Sequence, residues 1–209
     1  MWIKDCKTAI SFHLLFFFNC KSAKVAAADF EGKVFVVDSL SASCGEQVLL
    51  AHALKLRDAG KSAKEIYDEL MEIRPRLRLA LRVETLEYLK RGGRVSKTAA
   101  VIGGMLHIMP ILRLDEVGKL ETINKARGGK MSHKLLGEFI KANGGIDEAY
   151  PVATTYAGDL ADGEMDAFFQ NNEEIFATCR DKVMVRQLGT VIGTHTGPGA
   201  ILVAFIANR

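Results

Sequence analysis

The chain has 209 residues, of which 48% are apolar and 25% are charged, as in ordinary soluble globular domains. A chain of this length can bury a sizeable core in one large or two small domains. The formal net charge of +3 is too small and too evenly spread to indicate nucleic-acid binding. The four cysteines have neither C-x-x-C spacing nor the density of a disulfide framework, so they fit a reducing cytoplasm.

The first half of the chain predicts an α/β layer. Its predicted elements are a helix at 22–30, a strand at 33–38, and helices at 45–59 and 62–74. The β-branched run at 33–38 is typical of a buried parallel strand. Ser62 and Glu65 have the spacing of a capping box at the start of the last helix. The order strand–helix–helix predicts part of a doubly wound parallel sheet that lacks its opening strands.

After Pro75 the pattern changes, because leucine alternates with polar or small residues in the manner of a strand at 77–83. The further predicted elements are helices at 85–91, 97–105, 132–142 and 160–171, strands at 108–114, 149–156, 176–188 and 201–207, and a turn at 116–118 leading into 119–126. The predicted fold class is therefore α/β with two domains. Residues 1–75 form an incomplete N-terminal α/β domain, atypical over 1–21, and residues 76–209 form an α+β domain with a mainly antiparallel sheet.

The N-terminal segment has two interpretations. Lys4 and Lys7 precede an apolar run at 9–18, which is similar to the charged and hydrophobic regions of a signal peptide. The run is shorter than the roughly 20 residues that span a bilayer, so no stable membrane insertion is expected. The other interpretation is an unusual start to a cytoplasmic protein.

The most informative segment is V-I-G-T-H-T-G-P-G-A at 191–200. Its three glycines and one proline predict a tight loop between two strands. In such a loop His195, Thr194, Thr196 and backbone N–H groups can hold an oxyanion, either a carboxylate or a phosphate. The alternative is a hairpin turn whose histidine points to water.

Two other segments have polar groups at positions that suit a ligand. Ser39, Ser41 and Ser43 follow the strand at 33–38, and ligands of open α/β sheets lie beyond the carboxyl ends of strands. Helix capping is the alternative role of these hydroxyls. The segment R-G-G-R-V-S at 91–96 resembles an anion site but not a Walker loop, and a solvated turn is its alternative.

Patterns for metal binding and for catalysis are missing from the sequence. It has no H-E-x-x-H or C-x-x-C motif and no clustered carboxylates, so neither a metal site nor a cofactor is expected. The basic residues Lys125, Arg127 and Lys130 lie close together in sequence, as they do on many solvated faces.

Five segments occur together in the order found in the DegV family, and the chain resembles that family from about Ser22 to Arg209. The segments are V-V-D-S-L-S-A-S at 36–43, E-T-L-E-Y-L-K-R-G-G-R-V-S at 84–96, I-M-P-I-L at 108–112, K-A-R-G-G-K at 125–130, and the motif at 191–200. DegV proteins are bacterial fatty-acid-binding proteins that present acyl chains to a fatty acid kinase.

The resemblance implies a cytoplasmic lipid carrier without catalytic residues, acting in phospholipid metabolism. It implies that a long-chain fatty acid lies in an apolar tunnel between the domains and that a separate kinase subunit phosphorylates its carboxylate. In that picture His195 donates to the carboxylate, Thr194 and Thr196 shape the contact, and Ser39 and Ser41 lie near it. Arg127, with Lys125 and Lys130, contacts the kinase, since arginine pairs bidentately with carboxylates. The candidate tunnel residues are Ala99, Ile102, Met105, Leu106 and Ile108.

The chain also departs from the family pattern. Family members are longer at the N-terminus, where they have a hydroxyl-containing loop for the carboxylate. A second such loop is expected just before Ser22, yet no serine or threonine occurs between Phe12 and Lys21. One alternative function is therefore a truncated remnant that binds no ligand. Another is a hydrolase with Ser39 or a threonine as nucleophile and His195 as base, although no G-x-S-x-G motif supports it.

Overall fold

The computed structural model describes residues 2–4, 9–13, 19–30, 32–95 and 108–209. The strands of this part are β1 (Trp2–Lys4), β2 (Ala9–His13), β3 (Val34–Asp38), β4 (Leu77–Arg82), β5 (Ile108–Leu114), β6 (Leu120–Arg127), β7 (Val152–Tyr156), β8 (Val183–Gln187) and β9 (Ile201–Ile206). Its α-helices are α1 (Asn19–Ala27), α2 (Cys44–Asp58), α3 (Ala63–Ile73), α4 (Glu87–Arg91), α5 (Gly129–Ala142), α6 (Glu164–Gln170), α7 (Glu173–Phe176) and α8 (Thr190–Thr196).

The larger sheet has six strands in the order β6-β5-β4-β9-β7-β8. All neighbours are antiparallel except β7 and β8, which are parallel. This confirms the prediction of a mainly antiparallel sheet. All six residues of the inner strand β9 are buried, which explains why Ile201–Ile206 is continuously apolar rather than alternating.

The smaller sheet has three strands in the order β1-β2-β3. β2 and β3 are parallel, whereas β1 and β2 are antiparallel. β1 and β2 lie in the segment predicted to be atypical, and β2 includes the first half of the apolar run at 9–18. Together with the large sheet, this parallel pair confirms the α/β fold class.

Helices cover both faces of the six-stranded sheet. α2 packs on one face, against β4, β7 and β9, and α3 packs against α2 and β3. Val48 and Leu49 of α2 are fully buried in the core of this face, which also contains Leu79, Leu81 and Leu202. α5 and α6 lie on the opposite face, whose core includes an aromatic cluster of Phe139, Phe168, Phe169, Phe176 and Phe205.

The start of α3 forms as its sequence predicts. The Ser62 hydroxyl accepts from the Glu65 N–H, and the Glu65 carboxylate accepts from the Ser62 N–H at 2.9 Å. This reciprocal capping box satisfies two N–H groups that the helix itself leaves unpaired.

Two predicted elements are wrong in detail. The strand predicted at 176–188 begins only at Val183, because Phe176 ends the short helix α7 and packs into the aromatic cluster. The helix predicted at 160–171 is divided at Gly163, whose φ of 80° interrupts the helix and separates a 3-10 turn from α6. The helix predicted at 97–105 lies outside the described residues.

The prediction of a loop throughout 191–200 is also wrong. Residues up to Thr196 belong to helix α8, and only the last four residues, beginning with Gly197 at φ 78°, form a turn. The hairpin alternative is wrong as well, because β7 lies between β8 and β9 in the sheet. The sequence T-V-I-G-T-H-T has no proline, so it can form a helix although Gly193 and its β-branched residues are weak helix formers.

Candidate functional site

The last turn of α8 is where the site begins. His195 is half-buried there, and Thr196 is 3% exposed. The Thr196 hydroxyl lies 3.3 Å from the Ile192 carbonyl, to which it donates. Thr194 is exposed, and its hydroxyl donates to the Val191 carbonyl at 2.8 Å. Of the three predicted polar residues in this segment, His195 and Thr196 therefore face the interior.

His195 and Thr196 line a small cavity of about 40 Å³. Arg94 is the one charged residue among the other described residues that line it, which are Ala42, Leu79, Leu81, Leu89, Arg94, Leu114, Leu120, Ile192 and Leu202. Leu79, Leu81 and Leu202 project from the same face of β4 and β9, since β-strand side chains alternate between faces. The cavity is thus an apolar space on the large sheet, with polar groups where α8 meets it.

The polar groups of this cavity favour an anion. Burial, and secondarily the positive charge of Arg94, lowers the pKa of His195, so its imidazole is neutral at pH 7. Arg94 keeps its charge and donates from Nη1 to the Gly92 carbonyl. A neutral imidazole that can donate one hydrogen bond, beside a guanidinium, suits a carboxylate or phosphate attached to an apolar tail.

Ser39 and Ser41 line a second, larger cavity of about 220 Å³. Its charged lining residues are Arg74, Arg78, Arg113, Asp115 and Glu116. Leu79 and Leu114 line both cavities, so the two are neighbours, and the larger one also extends to Phe139 of helix α5 on the opposite sheet face. The structure therefore brings the predicted serines near the His195 cavity but not into its lining.

The serine turn at 39–43 has an unusual backbone. Leu40 and Ser43 both have φ 49°, in the left-handed region that residues other than glycine rarely adopt, and such strain is common at functional sites. The capping interpretation is wrong for Ser43, which stands before α2 without a side-chain cap bond and lies with Oγ 3.4 Å from Thr155 Oγ1. Within the described part of the chain, the buried Ser41 Oγ has no hydrogen-bond partner.

Glu46 is a titratable residue of this region that sequence reasoning missed. It lies in the first turn of α2, and burial raises its pKa to about 7, while a hydrogen bond from Ser39 acts in the opposite direction. A glutamate near the start of a helix is commonplace, so the sequence pattern contains no signal that distinguishes this one.

A buried ionic cluster on the opposite sheet face was also missed. Arg82 is 2% exposed and pairs with the carboxylates of Glu84 and Glu164. His133 Nε2 lies 3.0 Å from Glu164 Oε1, and Asn171 Nδ2 lies 3.2 Å from His133 Nδ1. Burial lowers the pKa of His133, so the neutral ring donates to Glu164 and accepts from Asn171.

The predicted partner-binding residues lie on a sheet edge. Lys125 and Arg127 are exposed on the edge strand β6, and Lys130 is exposed in the first turn of α5. No described carboxylate forms an ion pair with any of the three. They form an accessible basic segment, and contact with a partner remains a prediction.

The remaining predicted features are only partly described. Ile108 is half-buried at the start of β5, whereas Ala99, Ile102, Met105 and Leu106 lie outside the described residues. Among the residues that are described, no three His, Cys, Asp or Glu side chains are grouped to hold a metal ion. Across those same ranges, no helix combines the length and apolar character needed to cross a membrane.

The fold and the site together define an α/β protein with an apolar cavity on an antiparallel sheet and a histidine–arginine pair at that cavity. The chain belongs to the DegV family. The family model described as "Uncharacterised protein, DegV family" matches residues 19–208. The membership first indicated by five sequence segments is thereby confirmed.

Curated relatives support this membership along most of the chain. A DegV domain-containing protein of Lactococcus lactis is 37% identical over 179 residues, which are 85% of this chain and 60% of the relative. A DegV domain-containing protein of Clostridium perfringens is 31% identical over 178 residues, again 85% of this chain and 60% of the relative. The chain therefore spans about three fifths of the length of these relatives.

Solved structures of DegV proteins have the same fold. A fatty-acid-binding DegV protein from Thermus thermophilus superposes with a TM-score of 0.77 at 31% identity, covering 94% of this chain and 70% of that one. A Eubacterium eligens DegV protein loaded with heptadecanoic acid gives 0.82 at 22% identity over 95% and 73% of the two chains. The Streptococcus pneumoniae fatty acid kinase B3 protein, loaded with linoleic acid, gives 0.79 at 22% identity over 94% and 71%.

Proposed function

We propose that this chain binds a long-chain fatty acid, with the acyl chain on the apolar face of the large sheet and the carboxylate at His195. The single observation that carries the proposal is the pair of His195 and Arg94 on a cavity whose walls are otherwise almost entirely apolar. The fatty acids in the related E. eligens and S. pneumoniae structures support the same ligand class.

The two parts of such a ligand have different roles in binding. Each buried methylene contributes about 0.8 kcal/mol, so most of the affinity comes from the acyl chain. The neutral His195 donates one hydrogen bond to the carboxylate, and Arg94 supplies the compensating charge. Thr196 lines the same cavity, and Thr194, Ser39 and Ser41 remain candidate neighbours of the carboxylate.

We further propose that the bound carboxylate is presented to a fatty acid kinase, which transfers a phosphate from ATP to form an acyl phosphate. The name of the S. pneumoniae protein supports a kinase partner. The accessible segment of Lys125, Arg127 and Lys130 is the surface that we assign to it, because its charges are available for carboxylates of another protein. Use of ATP requires a cytoplasmic location.

The first test of the proposal is native mass spectrometry of the purified chain mixed with palmitic acid. We expect one fatty acid per chain, and an affinity for palmitic acid that is 10- to 100-fold weaker in His195→Ala, since a hydrogen bond to a charged group is worth about 1.5–3 kcal/mol. An empty wild-type chain that shows cooperative unfolding would contradict binding and favour the truncated remnant instead.

The kinase contact is tested by charge reversal. Arg127→Glu is expected to lower acyl-phosphate formation by an added fatty acid kinase catalytic subunit at least tenfold, with palmitic acid binding unchanged, because a like-charge contact replaces an attractive one. Lys33→Glu is the charge-reversal control, since Lys33 is also exposed and lies in the turn before β3, outside the basic segment. Equal rates for wild type and Arg127→Glu would contradict this assignment.

A further inference from the structure

The segment from His195 to Gly199 packs along helix α4 and its flanking residues in a regular register. Gly92 lies against His195, Tyr88 against Gly197, and Glu84 against Gly199. The contacting residues are therefore four positions apart in the segment 84–92 and two positions apart in the segment 195–199.

Each of these three pairs contains one glycine, and no space remains for a larger residue. A Cβ atom on Gly92 would lie 2.1 Å from His195 Nδ1. A Cβ on Gly197 would lie 2.3 Å from the Tyr88 ring, and one on Gly199 would lie 2.8 Å from Glu84 Cγ. Contacts this short force the neighbouring group to move.

Gly92 differs from the other two glycines in its backbone conformation. Gly197 and Gly199 have φ 78° and 74°, which by themselves favour glycine. Gly92 has φ −74° and ψ −4°, which alanine adopts readily. Glycine at position 92 is therefore required for the space that the imidazole of His195 occupies, and not for the turn of the chain.

The contact also fixes the orientation of the imidazole. The Nδ1 edge of the ring faces the Gly92 backbone, and the Gly92 carbonyl in turn accepts from Arg94. Gly92 thus touches both polar groups of the cavity. We propose that Gly92 is a positioning residue, which holds the His195 imidazole and the Arg94 guanidinium in the arrangement that receives a carboxylate. This inference rests on the proposed fatty-acid binding.

The test compares Gly92→Ala with Gly189→Ala. Gly189 precedes the same helix as His195, has φ −64° and ψ 149°, and has nothing within 4 Å of an added Cβ. Both variants and the wild type are titrated with palmitic acid and with hexadecanol, which has the same chain length and no carboxylate. We expect Gly92→Ala to bind palmitic acid at least tenfold more weakly and hexadecanol within twofold of wild type, with Gly189→Ala unchanged for both.

A second measurement on the same variants needs no ligand. The pKa of His195 is followed by NMR of the imidazole, and we expect it to rise in Gly92→Ala, because the ring moves out of its buried position beside Arg94. Tyr88→Leu removes the ring that packs on Gly197, and we expect it to raise the His195 pKa by less. Gly189→Ala is expected to leave it unchanged.

The outcomes separate this inference from the proposed function. A wild-type chain that binds neither ligand, together with a raised His195 pKa in Gly92→Ala, would reject fatty-acid binding and leave the positioning role supported. An unchanged pKa, or equal losses of palmitic acid and hexadecanol binding in Gly92→Ala, would overturn the positioning role.

Discussion

At the scale of single residues, burial decides the protonation states that matter in this protein. His195 is held neutral beside Arg94, whereas the pKa of Glu46 is raised to about 7 under the serine turn. Burial disfavours the charged form of either group, so it lowers the pKa of the histidine and raises the pKa of the glutamate. The charge of Glu46 therefore changes with pH near neutrality, whereas His195 stays neutral there.

Glu46 is expected to make the stability of the folded chain fall as pH rises. Its pKa in the folded state, about 7, exceeds the ordinary value of 4.5, so the folded chain binds more protons than the unfolded chain between these values. Stability is therefore lost as pH rises through that window. Glu46→Gln should remove up to about 3 kcal/mol of this loss.

Urea unfolding at pH 5 and pH 8 checks this expectation. The variant should be more stable than wild type at pH 8 and similar to it at pH 5. Glu65→Gln is the control with the opposite sign. Capping hydrogen bonds from Ser62 lower the pKa of the exposed Glu65 carboxylate, so replacing its charged form should destabilise the chain at pH 8. If the free energy of unfolding changed by the same amount between pH 5 and pH 8 in wild type and in Glu46→Gln, the raised pKa of Glu46 would be contradicted.

At the scale of elements, helix α5 meets α6 and the segment after it at a close glycine contact. Asn172 is 4% exposed and its amide donates to the carbonyls of His133 at 3.0 Å and Phe168 at 2.9 Å, which joins the two helices. Gly137 of α5 lies so near that an added Cβ would be 1.9 Å from Asn172 Oδ1 and 2.9 Å from Ile175 Cδ1. The crossing therefore depends on the absence of a side chain at position 137.

Gly137→Ala is expected to destabilise the chain by about 2–4 kcal/mol, although alanine is the better helix former, because Asn172 must give up buried hydrogen bonds. Gly129→Ala is the matched control on the same helix, with nothing within 4 Å of its added Cβ. Chemical denaturation followed by far-UV circular dichroism measures both. If Gly137→Ala is as stable as Gly129→Ala, the close contact has no energetic importance.

At the scale of the whole molecule, the two predicted domains contribute to one core. Val48 and Leu49 of α2, from the first predicted domain, are fully buried in the same cluster as Leu81 and Leu202 of the large sheet. Burying a leucine or valine side chain stabilises by about 1.5–3 kcal/mol. The six-stranded sheet therefore obtains the cover of one face from residues that precede it in the chain.

This dependence is tested by the predicted domain boundary at 75/76. A fragment of residues 76–209 is expected to aggregate or to lack cooperative unfolding, because the sheet face normally covered by α2 becomes exposed. Calorimetry of the fragment beside the full chain measures the difference. A cooperative thermal transition of the isolated fragment would show instead that the second domain folds independently.

Much of the fold follows from local patterns in the sequence. The continuous apolar run of β9, the capping box of α3 and the boundaries of β3, β4 and β5 depend on neighbours within a few residues, and the structure agrees with these predictions to within one residue at each boundary. The sequence alone also determined the family, since five motifs in one order are visible without any structure. The same local information predicted a loop at 191–200, where a helix forms up to Thr196.

Only the tertiary structure decided which residues share a site. Arg94 and His195 are far apart in the chain and line one cavity, whereas Ser39 and Ser41 line its neighbour. Arg82, which alternates with leucines like a surface residue, is buried and pairs with Glu84 two residues away and with Glu164 from a distant segment. The physical reason is that helix and strand patterns depend on short-range geometry, but the burial, charge and spacing of a site depend on contacts between segments that only the folded chain brings together.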